Sequence, residues 1–167
     1  MTTHRTLSES DSKQLLAGFG LPLAQEKIAA NADAAARAAE AVGFPVVVKV
    51  DGVAHKARDA GVVLGIDSPE RAQEAARLLG NRVLVARQLE PAPEAFVGMT
   101  RHPDHGPILA VGRGGVAVEQ LDSAVSAAGP LNRATALRLV REAGFEQAVD
   151  ALADALLAVS RLAIDQP

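Results

Sequence analysis

Through the first half of the chain, apolar residues at helical spacing alternate with short continuous apolar runs. The helical spacing predicts three helices. The first begins at capping oxygens in the segment 8–11 and ends at Gly18, Gly20 and Pro22. The second begins at Asn31 or Asp33 and ends at Gly43. The third begins at Ser68–Pro69 and ends near 80–81. The continuous runs predict strands at 25–29, 45–50, 61–66 and 83–89, and the run at 45–50 is typical of a strand covered on both faces.

After a proline-rich turn at 91–93 the pattern changes. Apolar runs joined by turns rich in glycine and proline predict three successive strands, at 94–99, 107–111 and 116–121. Two helices are predicted to close the chain, at 133–143 and 147–163. The turn is too short for a flexible tether, so we interpret it as a seam between two lobes. The predicted division is a polar tail at 1–7, a leading helix with an N-terminal lobe at 8–90, and a C-terminal lobe at 91–167.

The composition excludes several classes of function. Apolar residues make up 49% of the 167 positions, enough for a sizeable core, and there is no cysteine for a disulfide or a thiolate metal site. With 2% aromatic residues and a net charge of −3, the chain lacks the stacking platforms and basic patches of nucleic-acid-binding proteins. It also has neither an apolar run of membrane-span length nor a signal peptide, so we expect a cytoplasmic protein with no membrane partner.

A lysine near the end of a buried strand is the first candidate for chemistry. An unpaired ammonium at Lys49 would be costly, so its side chain either reaches solvent at the end of the strand or meets an anion such as a phosphate. His55 and Lys56 follow in the next turn, and an imidazole can accept a phosphoryl group, although a lone histidine in a loop more often has no such function. Gly52 and Gly61 flank this turn and allow backbone amides to point at an anion.

A second glycine-rich loop, at 112–115, suits either a tight hairpin turn or the close approach of a ligand. Arg113 within it can pair with phosphate. Glu119 and Asp122 follow, and two carboxylates beside such a loop suit a hard cation such as Mg²⁺, or simply a solvated surface. The histidines of the segment 102–105 are not favoured as a metal site, because no third protein ligand is identifiable.

Taken in order, these segments resemble the ATP-grasp domain of NDP-forming acyl-CoA synthetases, the ADP-forming acetate–CoA ligase type. The resemblance runs from about Ser8 to Ala163. It is carried by 43–49, His55–Lys56, Gly61–Val62, Glu94, Val97–Gly98, Gly106–Pro107, Gly114–Gly115, Val118–Glu119, Asp122 and Pro130–Leu131. It implies an α/β (α+β) fold of the ATP-grasp type, with two lobes that each hold a mixed or antiparallel sheet flanked by helices, the C-terminal lobe being truncated.

The resemblance also implies roles for individual residues. Lys49 would contact the phosphates of a nucleotide, with Lys56, Gly61, Gly114 and Gly115 as further nucleotide-binding residues. An interlobe hinge would bind the adenine edge through backbone groups, and it would consist of Ala86, Arg87, Gln88 and Leu89. Glu94 would lie near the ribose. Two residues would be catalytic, His55 in a phosphoryl relay between subunits and Glu119 as a carboxylate near the phosphates.

The implied reaction interconverts acyl-CoA, ADP and phosphate with free acid, CoA and ATP through a phosphohistidine. Mg²⁺ would neutralise the phosphates, and the implied partners are the nucleotide and a CoA-binding ligase subunit or domain. The segment 57–61 departs from the pattern of the family, and the chain stops before the metal-binding stretch of the family. These departures leave open a degenerate ATP-grasp module that binds nucleotide or a partner without catalysis, and an α/β domain with only a structural role.

Overall fold

The computed structural model describes residues 7–51, 61–80, 82–115 and 124–166. Its elements in chain order are α1 (Glu9–Gly18), β1 (Glu26–Ala29), α2 (Ala32–Val42), β2 (Val46–Val50), β3 (Val62–Ile66), α3 (Pro69–Leu79), β4 (Val83–Arg87), β5 (Ala95–His102), β6 (Gly106–Arg113), β7 (Val125–Ala128), α4 (Arg133–Glu142) and α5 (Val149–Asp165). The five predicted helices are confirmed, as is the α/β class. None of the helices in the described ranges has the length and the hydropathy of a membrane span.

Contacts between Cα atoms divide the chain into two units, with the boundary between Glu90 and Pro91. The segment Leu16–Leu21, which includes the end of α1, belongs to the unit that begins at Pro91. We call them the N-terminal unit and the C-terminal unit. Within the C-terminal unit, Arg161 Nη2 donates a hydrogen bond to the carbonyl oxygen of Phe19 at 2.8 Å. This bond fastens the end of the leading helix to α5.

The N-terminal unit contains a four-stranded sheet with the order β1–β4–β2–β3, in which each neighbouring pair is antiparallel. β2 is an inner strand, and Val46, Val47 and Val48 are all buried, as expected for a run covered on both faces. Alanines of α2 and α3 pack against valines of β2 and β4, because small side chains let helices approach a sheet closely. The alanine-rich sequence of α2 therefore serves packing as well as helix propensity.

Local capping signals account for the helix boundaries. Asn31, rather than Asp33, caps α2, since Asn31 Oδ1 accepts a hydrogen bond from the backbone N–H of Ala34 at 2.8 Å. Ser68 Oγ accepts from the N–H of Arg71 at the start of α3. Gly43 ends α2 with a φ of +86°, and a Cβ there would lie 2.9 Å from Arg87 Nη1. The positive φ favours glycine at this position, whereas Arg87 Nη1 is the end of a flexible side chain that can move aside.

The C-terminal unit contains a three-stranded antiparallel sheet with the order β5–β6–β7. Leu109 and Val111 of β6 form its core with Leu139 of α4 and Leu156 of α5, all fully buried. The third strand, β7, is not among the predicted strands, because its sequence Val-Ser-Ala-Ala contains a single β-branched residue. The predicted strand at 116–121 lies outside the described residues.

Candidate functional site

The side chain of Lys49 meets an anion that belongs to the chain itself. Val48 is part of the core beneath α2 and α3, so Lys49, the next residue of β2, projects from the opposite face of the sheet. Its Nζ donates to Glu9 Oε1 at 3.1 Å, and its side chain is 30% exposed. The Lys49 ammonium thus pairs with a carboxylate at the start of α1 and is also partly open to solvent, and its role in binding phosphate stays a prediction.

This ion pair is one link in a row of four alternating charges, in the order Lys49, Glu9, Lys13 and Glu26. Lys13 Nζ lies 2.8 Å from Glu9 Oε1 and 2.6 Å from Glu26 Oε2. Burial by itself would raise the pKa of Glu9, but the hydrogen bonds and charges of Lys13 and Lys49 hold it below its ordinary value. Burial would lower the pKa of Lys13, but the Glu26 and Glu9 carboxylates raise it above its ordinary value. Glu9 and Lys13 are therefore both ionised at neutral pH.

We expect the stability that Glu9 contributes to disappear in acid. Because its pKa is lower in the folded state than in the unfolded state, ionised Glu9 favours folding above the unfolded value, and this contribution is lost as the pH falls through the folded value. In urea unfolding at pH 7, Glu9→Gln should therefore be less stable than the wild type by at most about 1 kcal/mol. The difference should shrink as the pH is lowered, and a difference independent of pH would contradict this prediction.

A buried carboxylate ties the end of β2 to the leading helix. The side chain of Asp51 has 0% exposure and accepts a hydrogen bond from Arg82 Nε at 2.8 Å. Its two oxygens also lie 3.0 and 3.1 Å from the donating hydroxyl of Ser10, which is itself buried. Asp51 is not among the residues predicted from the sequence, and Ser10 is predicted only as one of a set of capping oxygens. The available signal was an acidic residue directly after a buried apolar strand, where a charge needs partners.

Several predicted residues lie outside the described part of the chain. They are His55, Lys56, Glu119 and Asp122. Gly61, which follows the segment 52–60, accepts a hydrogen bond through its carbonyl oxygen from the N–H of Val50 at 2.9 Å. Val50 and Gly61, on either side of the segment 52–60, are therefore held close together at the end of β2. The proposed roles of these four residues continue to rest on the sequence.

The predicted hinge residues Ala86–Leu89 follow β4 out of the N-terminal sheet. Ala86 is buried, the N–H of Arg87 donates to the Gln25 carbonyl oxygen at 2.8 Å, and the N–H of Gln88 donates to the Pro45 carbonyl oxygen at 3.0 Å. Leu89 is 70% exposed. The amide groups of Arg87 and Gln88 are therefore already used by neighbouring backbone, and Leu89 is the most accessible residue of the four.

In the C-terminal unit, the structure brings Glu94, Gly114 and Gly115 together. The N–H of Gly114 donates to the Glu94 carbonyl oxygen at 2.7 Å. A Cβ at Gly114 would lie 3.0 Å from Glu94 Cβ, and a Cβ at Gly115, whose φ is +67°, would lie 3.0 Å from Glu94 Oε2. The glycine pair thus leaves room for Glu94 itself. A larger residue at Gly114 would press on the Glu94 and Ala95 backbone, and one at Gly115 would adopt a strained conformation.

Two other features of the C-terminal unit were singled out from the sequence. Arg113 lines a cavity of about 470 Å³ together with Ala92, Pro93 and the segment 144–148. The rings of His102 and His105 stack at the β5–β6 turn with centroids 4.6 Å apart. Within the described ranges, no group of three or more histidine, aspartate or glutamate side chains is arranged to hold a metal ion.

Comparison with known proteins assigns the class. The sequence matches the ATP-grasp domain family over residues 2–167. It is 31% identical over 189 residues to the beta subunit of ADP-forming acetate–CoA ligase I from Pyrococcus furiosus, an alignment that covers 98% of this chain and 82% of that relative. Against ADP-forming acetate–CoA ligase I from Archaeoglobus fulgidus the identity is 34% over 177 residues, covering 92% of this chain and 26% of that relative. The chain therefore belongs to the ATP-grasp domain family of NDP-forming acyl-CoA synthetases, as its resemblance implied.

Solved structures agree with this assignment. Dinucleotide-forming acetyl-coenzyme A synthetase 1 of Ca. Korarchaeum cryptofilum, in complex with coenzyme A and Ca-AMPCP, superposes with a TM-score of 0.85 at 26% identity and covers 96% of this chain and 81% of that chain. A second complex of that protein contains coenzyme A and Mg-AMPPCP, with its phosphohistidine segment pointing towards the nucleotide binding site. Its TM-score is 0.79 at 27% identity, and it covers 95% of this chain and 78% of that chain. The ATP-grasp fold is thus confirmed.

Proposed function

We propose that this chain is the nucleotide-binding component of an ADP-forming acid–CoA ligase and works with a partner subunit or domain that binds CoA. The observation that supports this most strongly is Lys49. It is a strand lysine whose ammonium lies against an anion, in a chain that matches the ATP-grasp family over nearly its whole length. A cation in this position suits the phosphates of ATP or ADP.

In this proposal, Lys49, Lys56 and Gly61 bind the phosphates, and Gly114 and Gly115 complete the nucleotide-binding residues. Residues Ala86–Leu89 bind the adenine edge, with Leu89 the most accessible of them, and Glu94 lies near the ribose. A nitrogen of His55 attacks the γ-phosphorus of ATP, so that an N–P bond forms while the bond to the ADP oxygen breaks and ADP leaves. Glu119 is the catalytic carboxylate. Mg²⁺, when bound, supplies positive charge that offsets the charge of the phosphates.

Two experiments separate this function from its alternatives. ATP binding distinguishes any nucleotide-binding function from an α/β domain with only a structural role. Transfer of the phosphoryl group to His55 distinguishes the ligase from a degenerate module that binds nucleotide or a partner without catalysis.

We expect ATP with Mg²⁺ to raise the melting temperature of this chain. At a nucleotide concentration about 100-fold above the dissociation constant, the free energy of unfolding rises by about 2.7 kcal/mol. Lys49→Ala should lose most of this increase, because the variant lacks the ammonium that contacts the phosphates. Lys27→Ala, which removes an exposed lysine of β1, is the matched control and should keep the increase. An unchanged melting temperature of the wild type with ATP would overturn the ligase and the binding-only module together.

A further inference from the structure

Glu9 is close enough to Lys49 to compete with a bound nucleotide. We propose that Glu9 is an intramolecular stand-in for a phosphate: its carboxylate pairs with the Lys49 ammonium when no nucleotide is bound, and a phosphate displaces it. Glu9 is then a positioning residue, since it acts on the nucleotide through Lys49. This inference rests on the proposed function, because it assumes that Lys49 binds nucleotide phosphates.

The geometry of the pair supports an exchangeable contact. Glu9 Oε1 and Lys49 Nζ are 3.1 Å apart, and the two side chains are 40% and 30% exposed. The contact is therefore partly open to solvent, and an incoming anion can reach the ammonium without unfolding the sheet. A phosphate that contacted Lys49 while Glu9 stayed in place would bring two negative groups together at the same ammonium, which is unfavourable. Binding therefore favours movement of Glu9 away from Lys49.

Glu9 has a second partner to which it can turn. Lys13, one helical turn further along α1, lies 2.8 Å from the same carboxylate oxygen and also pairs with Glu26. After a phosphate takes Lys49, Glu9 stays paired with Lys13, and Lys13 stays paired with Glu26. Glu9 also stands in the first turn of α1, where the helix dipole stabilises a carboxylate. The exchange therefore leaves each charged group with a partner and does not require Glu9 to take up a proton.

This arrangement has a consequence for selectivity. Breaking the Glu9–Lys49 pair lowers the affinity for any ligand that needs Lys49, so a ligand must bring enough negative charge to replace the carboxylate. A nucleotide with phosphates does so, whereas a nucleoside does not. Glu9 thus tunes the nucleotide affinity of the site and keeps Lys49 from other weak anions.

The test compares the affinity for ATP, measured by titration calorimetry, among variants of the full chain. Glu9→Gln keeps the size and polarity of the side chain and removes its charge. It should lower the dissociation constant for ATP by about two- to fivefold, the factor that corresponds to loss of one partly exposed ion pair. Asp67→Asn is the matched control, since it removes an exposed carboxylate that pairs with Arg71 and lies outside this row of charges, and it should leave the ATP affinity unchanged.

A double-mutant cycle shows whether the effect passes through Lys49. In the Lys49→Ala background, Glu9→Gln should no longer change the ATP affinity, whereas a purely structural effect of Glu9 would persist. The inference is overturned if Glu9→Gln leaves the affinity unchanged or weakens it while Lys49→Ala still weakens binding. If the wild type does not bind ATP, or Lys49→Ala binds it as tightly as the wild type, the proposed function itself fails and this inference fails with it.

Discussion

Replacement of His55 by alanine is expected to abolish the transfer of a labelled phosphoryl group from γ-labelled ATP to this chain. The imidazole is the group that the proposed function assigns as the phosphoryl acceptor, and alanine offers no nucleophile in its place. The wild type should retain label after the free nucleotide has been removed. That label should be lost in acid and resist base, as expected of a bond between phosphorus and an imidazole nitrogen.

The control for this experiment is His102→Ala. His102 stacks on His105 at the β5–β6 turn and has no role in the proposed chemistry, so its variant should be labelled like the wild type. Label that persists in His55→Ala would contradict the assignment of the acceptor. If the wild type binds ATP but takes up no label, the ligase is excluded, and the chain is a module that binds nucleotide or a partner without catalysis.

Replacement of Asp51 by alanine is expected to lower the free energy of unfolding by about 1–3 kcal/mol. The buried carboxylate accepts hydrogen bonds from Ser10 and Arg82, and its removal leaves the buried hydroxyl of Ser10 with only the Ser8 hydroxyl, 3.0 Å away, as a side-chain partner. Arg82 is 56% exposed and can turn to water. The loss should therefore stay below that of a pair in which both charges are buried.

Asp67→Ala is the matched control, because Asp67 also pairs with an arginine of the N-terminal unit but on its surface. The Arg71–Asp67 contact joins side chains that are 53% and 68% exposed, and loss of such a pair costs at most about 0.5 kcal/mol. Urea unfolding of the two variants at pH 7 measures the difference. A loss in Asp51→Ala no greater than that in Asp67→Ala would show that the buried cluster does not hold α1 against the end of β2.

The candidate site was predictable only in part from the sequence. Lys49 is recognisable because a charged residue in a continuous apolar strand needs a partner. The residues next to Lys49 in the sequence do not identify that partner. Glu9 lies 40 positions away and, in the sequence, is one of several polar residues at a helix start. The sequence could not predict that Glu94 lies beside Gly115 for the same reason, since this depends on how β5 and β6 pair.

The strands also differ in how far their own sequence predicts them. The runs that became β2 and β4 are continuous, β-branched and bounded by glycine or proline, so their pattern alone indicates strands. β7 has small residues and a weak pattern, and it is a strand because it pairs with the edge of β6. Burial and pairing partners, rather than intrinsic preference, determine such short strands.

By itself, the sequence determined the type and order of the helices and most strands, because caps, glycine stops and apolar periodicity act over a few neighbouring residues. It also determined the family, because the order and spacing of its motifs match those of the family along nearly the whole chain. Only the tertiary structure decided that Lys49 faces Glu9 and that Asp51 is buried between Ser10 and Arg82. These contacts join residues 31 to 41 positions apart, and their formation depends on the packing of α1 and the pairing of the strands, which no local pattern encodes.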